Sequence, residues 1–366
     1  MMLIFTRCRA SLLPHCIWLI LCLWTVVSQA EPPDKQDSHK RTYENKLTLL
    51  ENPDPLLNDY PEFVQPIVEL RRFEAPILVD DEEADLEVRA WRFSYNARGI
   101  IEVPNRLRAD QTAVIMVHPW GIDDGQGWRT PEPAGAADFC TPEKNHLAGQ
   151  HTREVIDPLL KRLRPHVKLT MYSLRSHEYP AQKKMYRSMR HNPSDEERAQ
   201  GRKELTDILH GFNYHGGPLQ AELTLSDDLP VVDYFKQFPG LQAYDHFNNK
   251  GFWDMPIPIT SDVTMARDDV VIYDADGYQP LKVFLKEQGV RHVLLTGYAT
   301  DMCFCKTTAG YENLSQDFNV FLVGDATLAT FPANATPKYA TNAHISFASI
   351  NQLITQTSWI RLRNSE

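Results

Sequence analysis

Basic residues are in deficit: Lys and Arg total 38 against 48 Asp and Glu, a formal net charge of −10. A nucleic-acid binder neutralises phosphates with a basic face, so this balance speaks against one. Long apolar runs are as scarce. The one present, Leu12 to Val27, stands at the very start, which excludes a polytopic membrane protein. Cysteine is sparse at 6, and Gly at 17 is outnumbered by Pro at 25. Neither a disulfide-built scaffold nor a low-complexity chain fits those counts. No internal repeat appears, which leaves a globular chain long enough for one large domain with extensions.

The apolar run follows Arg7 and Arg9 and ends at Ser28-Gln29-Ala30, with small residues at −3 and −1 of a cleavage point. Residues 1–30 therefore read as a signal peptide, which implies an exported chain, secreted or periplasmic, with no stable membrane span after its removal. An uncleaved anchor is the alternative, since the run approaches the lower limit of a membrane span. The cut removes Cys8, Cys16 and Cys22 and leaves Cys140, Cys303 and Cys305. Three thiols allow at most one bridge, and a free thiol in an exported protein calls for burial or chemistry.

Residues 31–109 read as a flexible leader, polar and aperiodic over 31–60, followed by a β-hairpin. In that hairpin Leu86-Glu-Val-Arg-Ala-Trp-Arg-Phe alternates apolar and charged residues, and Asn96-Ala-Arg-Gly turns the chain into Ile100 to Val103. Over 110–358 strands alternate with helices. Ala113–Val117, Val167–Leu174, Val270–Tyr273, Val293–Thr296 and Val320–Val323 are apolar runs suited to strands covered on both faces. Val155, Ile156, Leu159, Leu160 and Leu163 share a helical face. Ser194-Asp-Glu-Glu197 has the form of a capping box, and Pro280 suits the first turn of a helix carrying Leu281, Phe284 and Leu285. A last helix is expected over about 337–353. This alternation implies an α/β fold: a mostly parallel sheet flanked by helices on both faces, with an N-terminal β-hairpin extension and sites at the carboxyl ends of strands. Residues 229–263, rich in Pro, Gly and aromatics, are too long for an ordinary connection and read as an inserted segment, a candidate lid.

Chemistry concentrates in Leu294-Leu-Thr-Gly-Tyr-Ala-Thr-Asp-Met-Cys303-Phe-Cys305-Lys-Thr-Thr. A buried strand runs into Gly297, and Thr300 or Asp301 is placed to cap a following helix. Cys303 then falls in the first helical turn, where unsatisfied N–H groups favour a thiolate and can hold an oxyanion. Ala299, Thr300 and Asp301 are the candidate oxyanion or substrate-binding residues. Cys303 and Cys305, two apart on a helix, point to different faces. The functional thiol is expected to be the one that faces the strand ends, Cys303 in that first turn being a candidate, while the other packs inward or against Cys140. A buried structural cysteine is the bland alternative.

Gly297-Tyr-Ala-Thr300-Asp301-Met-Cys303-Phe resembles the Gly-x-x-Thr-Asp-x-Cys-Val signature of the isochorismatase-like cysteine hydrolases, the superfamily that includes nicotinamidases. Tyr172-Ser173…His177, Tyr214-His215-Gly-Gly…Ala221-Glu222-Leu223, Val320 to Ala326 and His344 continue the similarity in order over roughly 110–355. The resemblance implies a three-layer α/β fold, hydrolysis of a C–N amide or related carbonyl bond in a small molecule, and frequent homo-oligomers.

In that family an Asp, a Lys and the Cys form the catalytic triad, and this chain departs from it twice. The first strand ends at His118-Pro119-Trp120, and the third at Asp274-Ala-Asp276-Gly277. If the positions superpose, the set becomes His118, Asp274 and Cys303, a base oriented by a carboxylate beside a thiol. Some relatives hold a divalent metal with an Asp and two His, and the matched positions here are Arg175, His177 and His215. Arg cannot ligate a cation, so no metal or other cofactor is expected, although His177 and His215 could contribute to a zinc site with another ligand. The rival reading is an inactive relative that binds a small carbonyl ligand or a protein partner.

Overall fold

The computed structural model describes residues 40–119, 121, 142–211, 222–235, 255–329 and 356–362. The chain divides after Tyr43 into two compact units, and the architecture below is that of Glu44–Glu366. Its strands are β1 (Thr48–Leu49), β2 (Arg72–Glu74), β3 (Leu86–Ser94), β4 (Gly99–Leu107), β5 (Thr112–Val117), β6 (Leu169–Leu174), β7 (Val270–Tyr273), β8 (His292–Tyr298), β9 (Asn319–Leu328) and β10 (Gln356–Leu362). The helices are α1 (Pro142–His151), α2 (Asp157–Leu163), α3 (Pro180–Met185), α4 (Asp195–Gly211), α5 (Pro230–Phe235), α6 (Tyr278–Glu287), α7 (Cys303–Lys306) and α8 (Tyr311–Leu314). A π-helical segment, Thr152–Ile156, joins α1 to α2.

Among the described residues all strands share one sheet, in the order β1-β2-β4-β3-β10-β9-β8-β5-β6-β7. The half from β10 to β7 is parallel throughout. Every residue of β5, β6, β7 and β8 is buried, as continuous apolar runs require when helices cover both faces. Val114, Met116, Tyr172 and Leu294 face Val155, Ile156, Leu160 and Leu163 on one side. Ile115, Met171 and Leu295 pack against Leu281 and Leu285 of α6 and Leu314 of α8 on the other. The α/β fold expected from the sequence is therefore observed. The Ser194 cap forms as expected, with the Glu197 amide donating to Ser194 Oγ and the Ser194 amide donating to the Glu197 carboxylate.

Two expectations change, and one falls where nothing is described. Residues 44–60 are not a flexible leader: β1 pairs with β2, and Leu56 and Leu57 are buried in the core beside Phe63 and Val64. Their apolar side chains are few and aperiodic, so no local pattern announces the burial. The hairpin is longer than 86–103, since Leu86 pairs with Leu107 and Ser94 with Gly99. An ion-pair network centred on the buried Arg72–Glu102 pair, with Arg89 also on Glu102 and Glu74 on Arg89, joins β2 to this hairpin. Residues 337–353, expected as a helix, lie outside the described residues. Beyond them β10 runs past position 358, antiparallel to β3 and parallel to β9, so hairpin and parallel half are one continuous sheet.

Candidate active site

Four neighbouring strands, β8, β5, β6 and β7, end side by side. The residues that follow them are therefore brought together, as the carboxyl edge of a parallel sheet does generally. His118 follows β5. It adopts a left-handed backbone with φ of 47°, and its amide donates to the Ser173 carbonyl at the end of β6. Asp274 follows β7 in a short 3-10 turn, held by Thr308 Oγ1 donating to its carbonyl at 2.7 Å. Cys303 opens α7 just after β8.

The His118 ring is buried, and its Nε2 lies 3.1 Å from Asp274 Oδ2. Burial alone would push the imidazole toward neutrality. The Cys303 charge, the hydrogen bonds to Asp274 and Cys303, and the Asp274 charge together outweigh it and raise the pKa to about 9. The structure thus brings His118 and Asp274 into contact, and the half-buried Cys303 is close enough for its charge to act on the His118 ring. Asp276, two residues on, is engaged elsewhere: it accepts from the Tyr273 amide and pairs with Arg190 at 3.0 Å.

Of the candidate oxyanion or substrate-binding residues, Thr300 has its amide engaged in the sheet, donating to the Leu328 carbonyl at 3.1 Å. Its buried hydroxyl has no partner among the described residues. The amides of Ala299 and Cys303 have no acceptor among the described residues. The expected cap by Thr300 or Asp301 is also absent: α7 is one turn long, its N-cap position is Met302, and no side chain caps it. Asp301 is half-buried in the turn. The Tyr298–Ala299 peptide is cis. Cys305 is buried, its Sγ donates to the Thr300 carbonyl, and desolvation pushes its pKa up to about 11. The two thiols differ in environment as their spacing implied, whereas Cys140 lies outside the described residues.

His177 is exposed and lies against Tyr179 with ring centroids 4.1 Å apart and the planes tilted by 38°. His215 lies outside the described residues, and among those described no three His, Cys, Asp or Glu side chains gather as a metal set. The inserted segment 229–263 returns along the loop after His118: the Gly121 amide donates to the Pro258 carbonyl and the Thr260 amide to the Pro119 carbonyl. Its middle lies outside the described residues. Sequence reasoning missed His151 and Tyr298, whose buried side chains meet behind the nucleophile turn. Their separation of 147 positions leaves no local signal.

Residues 232–353 match the family model of the isochorismatase domain. Among solved structures, an isochorismatase family protein from Desulfovibrio vulgaris is 16% identical, with 67% of this chain and 93% of that one covered at a TM-score of 0.33. A cysteine hydrolase from Pseudomonas syringae is 17% identical, covering 67% and 86% at 0.32. A pyrazinamidase of Pyrococcus horikoshii, solved in complex with zinc, is 16% identical, covering 66% and 95% at 0.32. No curated protein sequence matches the chain. Among the described residues no helix is long and apolar enough to cross a membrane.

Proposed function

We propose that this isochorismatase-like chain is a cysteine hydrolase that cleaves a C–N amide or related carbonyl bond in a small molecule through Cys303. One observation carries the reading: the buried His118 ring is held by Asp274 at 3.1 Å, and the Cys303 charge is among the influences that raise its pKa. In the proposed reaction His118 takes the thiol proton, and Asp274 orients the ring and stabilises the imidazolium. The thiolate attacks the carbonyl carbon, and the amides of Ala299 and Cys303 receive the oxyanion. The C–N bond then breaks as His118 returns its proton to the departing nitrogen. Water, deprotonated by the same ring, releases the acid and regenerates the thiol. The apolar start of the chain supports a place outside the cytosol for this chemistry.

A panel of small carboxamides, with p-nitrophenyl acetate as a generic acyl donor, tests the reading. Cys303→Ala is expected to abolish turnover and acyl-enzyme formation, and His118→Ala to lower them by about 10²–10⁴-fold. Turnover that survives Cys303→Ala overturns the hydrolase mechanism. Ligand binding without turnover in the unaltered protein favours the inactive-relative reading instead.

A further inference from the structure

His151 is a second buried histidine, and the reaction above makes no use of it. It closes α1, immediately before the π-helical segment, and such bulges in a helix frequently occur at functional sites. Its Nε2 lies 2.7 Å from the Asp325 carbonyl oxygen near the end of β9, and its Nδ1 lies 2.8 Å from Tyr298 Oη at the end of β8. A carbonyl oxygen only accepts, so Nε2 carries the proton. Burial holds the imidazole neutral, with its pKa pushed down to about 4. Nδ1 is then a bare acceptor, and the Tyr298 hydroxyl donates to it. Thr152 Oγ1, 2.8 Å away, donates in turn to Tyr298 Oη. The Ala148 carbonyl at 3.0 Å is a second acceptor competing for the same tyrosine proton. Phe63, from the segment before the hairpin, packs edge-on against the His151 ring at 5.2 Å.

The place of Tyr298 gives this chain of hydrogen bonds its consequence. The next amide belongs to Ala299, which has no acceptor among the described residues and shares a peptide plane with the Tyr298 carbonyl. Fixing Tyr298 from its hydroxyl end fixes where that N–H points. We propose that His151, in its Nε2–H form, is a positioning residue that acts through Tyr298 to hold the Ala299 amide on the oxyanion. Phe63 makes the N-terminal segment the outer support of that arrangement. The inference rests on the Cys303 reading.

Two reactions of the same thiol separate positioning from general stability. Acylation of Cys303 by p-nitrophenyl acetate passes through an oxyanion, whereas alkylation by iodoacetamide is a displacement with none. In the full chain, Tyr298→Phe and His151→Phe are expected to slow acylation by at least about tenfold while alkylation stays within about twofold. His151→Gln, whose amide can both donate to the Asp325 carbonyl and accept from Tyr298, should restore acylation to within about threefold. Equal losses in both reactions, or acylation unaffected by Tyr298→Phe, would overturn the proposal. Should His151→Phe fail to fold, Tyr298→Phe and His151→Gln still decide it. Acylation that persists in Cys303→Ala would instead sink the nucleophile reading, a result this control reports separately.

Discussion

Gly297 lies against Val117 so closely that a Cβ on it would sit 2.3 Å from the Val117 carbonyl oxygen and 2.6 Å from its amide nitrogen. The two residues are register partners in adjacent parallel strands, and each begins the turn to a candidate catalytic residue. Gly297 also has a φ of +99°, in the region that favours glycine. Close approach of β8 to β5 is therefore a condition for bringing Cys303 to His118.

Replacing that glycine should fail on both counts. Gly297→Ala is expected to cost at least about 1–3 kcal/mol in backbone strain alone, with the clash added. Denaturant unfolding measures the loss. Iodoacetamide labelling of Cys303 in the folded fraction should slow as the strand ends move apart. A fully stable variant with unchanged labelling would contradict the argument.

The buried titratable groups set a stability profile that is level up to about pH 6.5 and falls above it. His118 is raised from 6.5 to about 9, so its contribution is full below 6.5 and lost as pH rises through about 9. Asp325, raised by burial and by the Asp59 charge from 3.8 to about 8, acts in the same direction: its contribution is full below 3.8, shrinks from there and is gone as pH rises through about 8, offsetting the His151 gain between about 4 and 6.5. His151, lowered from 6.5 to about 4, acts oppositely: its contribution is full above 6.5 and lost as pH falls through about 4. Unfolding free energy should fall on the order of a few kcal/mol between pH 6.5 and 9. Asp325→Asn and His118→Gln should each remove part of that fall. A pH-independent stability across this range would refute the assignment.

Glu102 is buried and holds both Arg72 and Arg89, of which Arg72 is itself buried. Removing one member of such a set leaves an uncompensated buried charge, a loss of about 3–5 kcal/mol. Glu102→Ala should therefore lower stability by about that amount. Cys303 alkylation in the folded fraction should not change, since the network lies in the hairpin half of the sheet. Equal damage to both would place the hairpin closer to the chemistry than the fold implies.

The sequence by itself determined the parallel strands and the turn that carries Cys303. Residues 113–117, 270–273 and 293–296 are apolar without interruption, and short-range burial of that kind is written locally. It also marked His118 and Asp274 as residues at strand ends. It did not reveal that 44–60 belong to the core, that a strand follows at Gln356–Leu362, or that Thr300 spends its amide on Leu328. Nor did it show His151 against Tyr298. These are decided by strand order: His118 and Asp274 stand 156 positions apart, and only the sequence of edges β8-β5-β6-β7 brings them within a hydrogen bond. Apolar periodicity reports which face of an element is buried, whereas meetings between distant side chains depend on how the whole sheet is assembled.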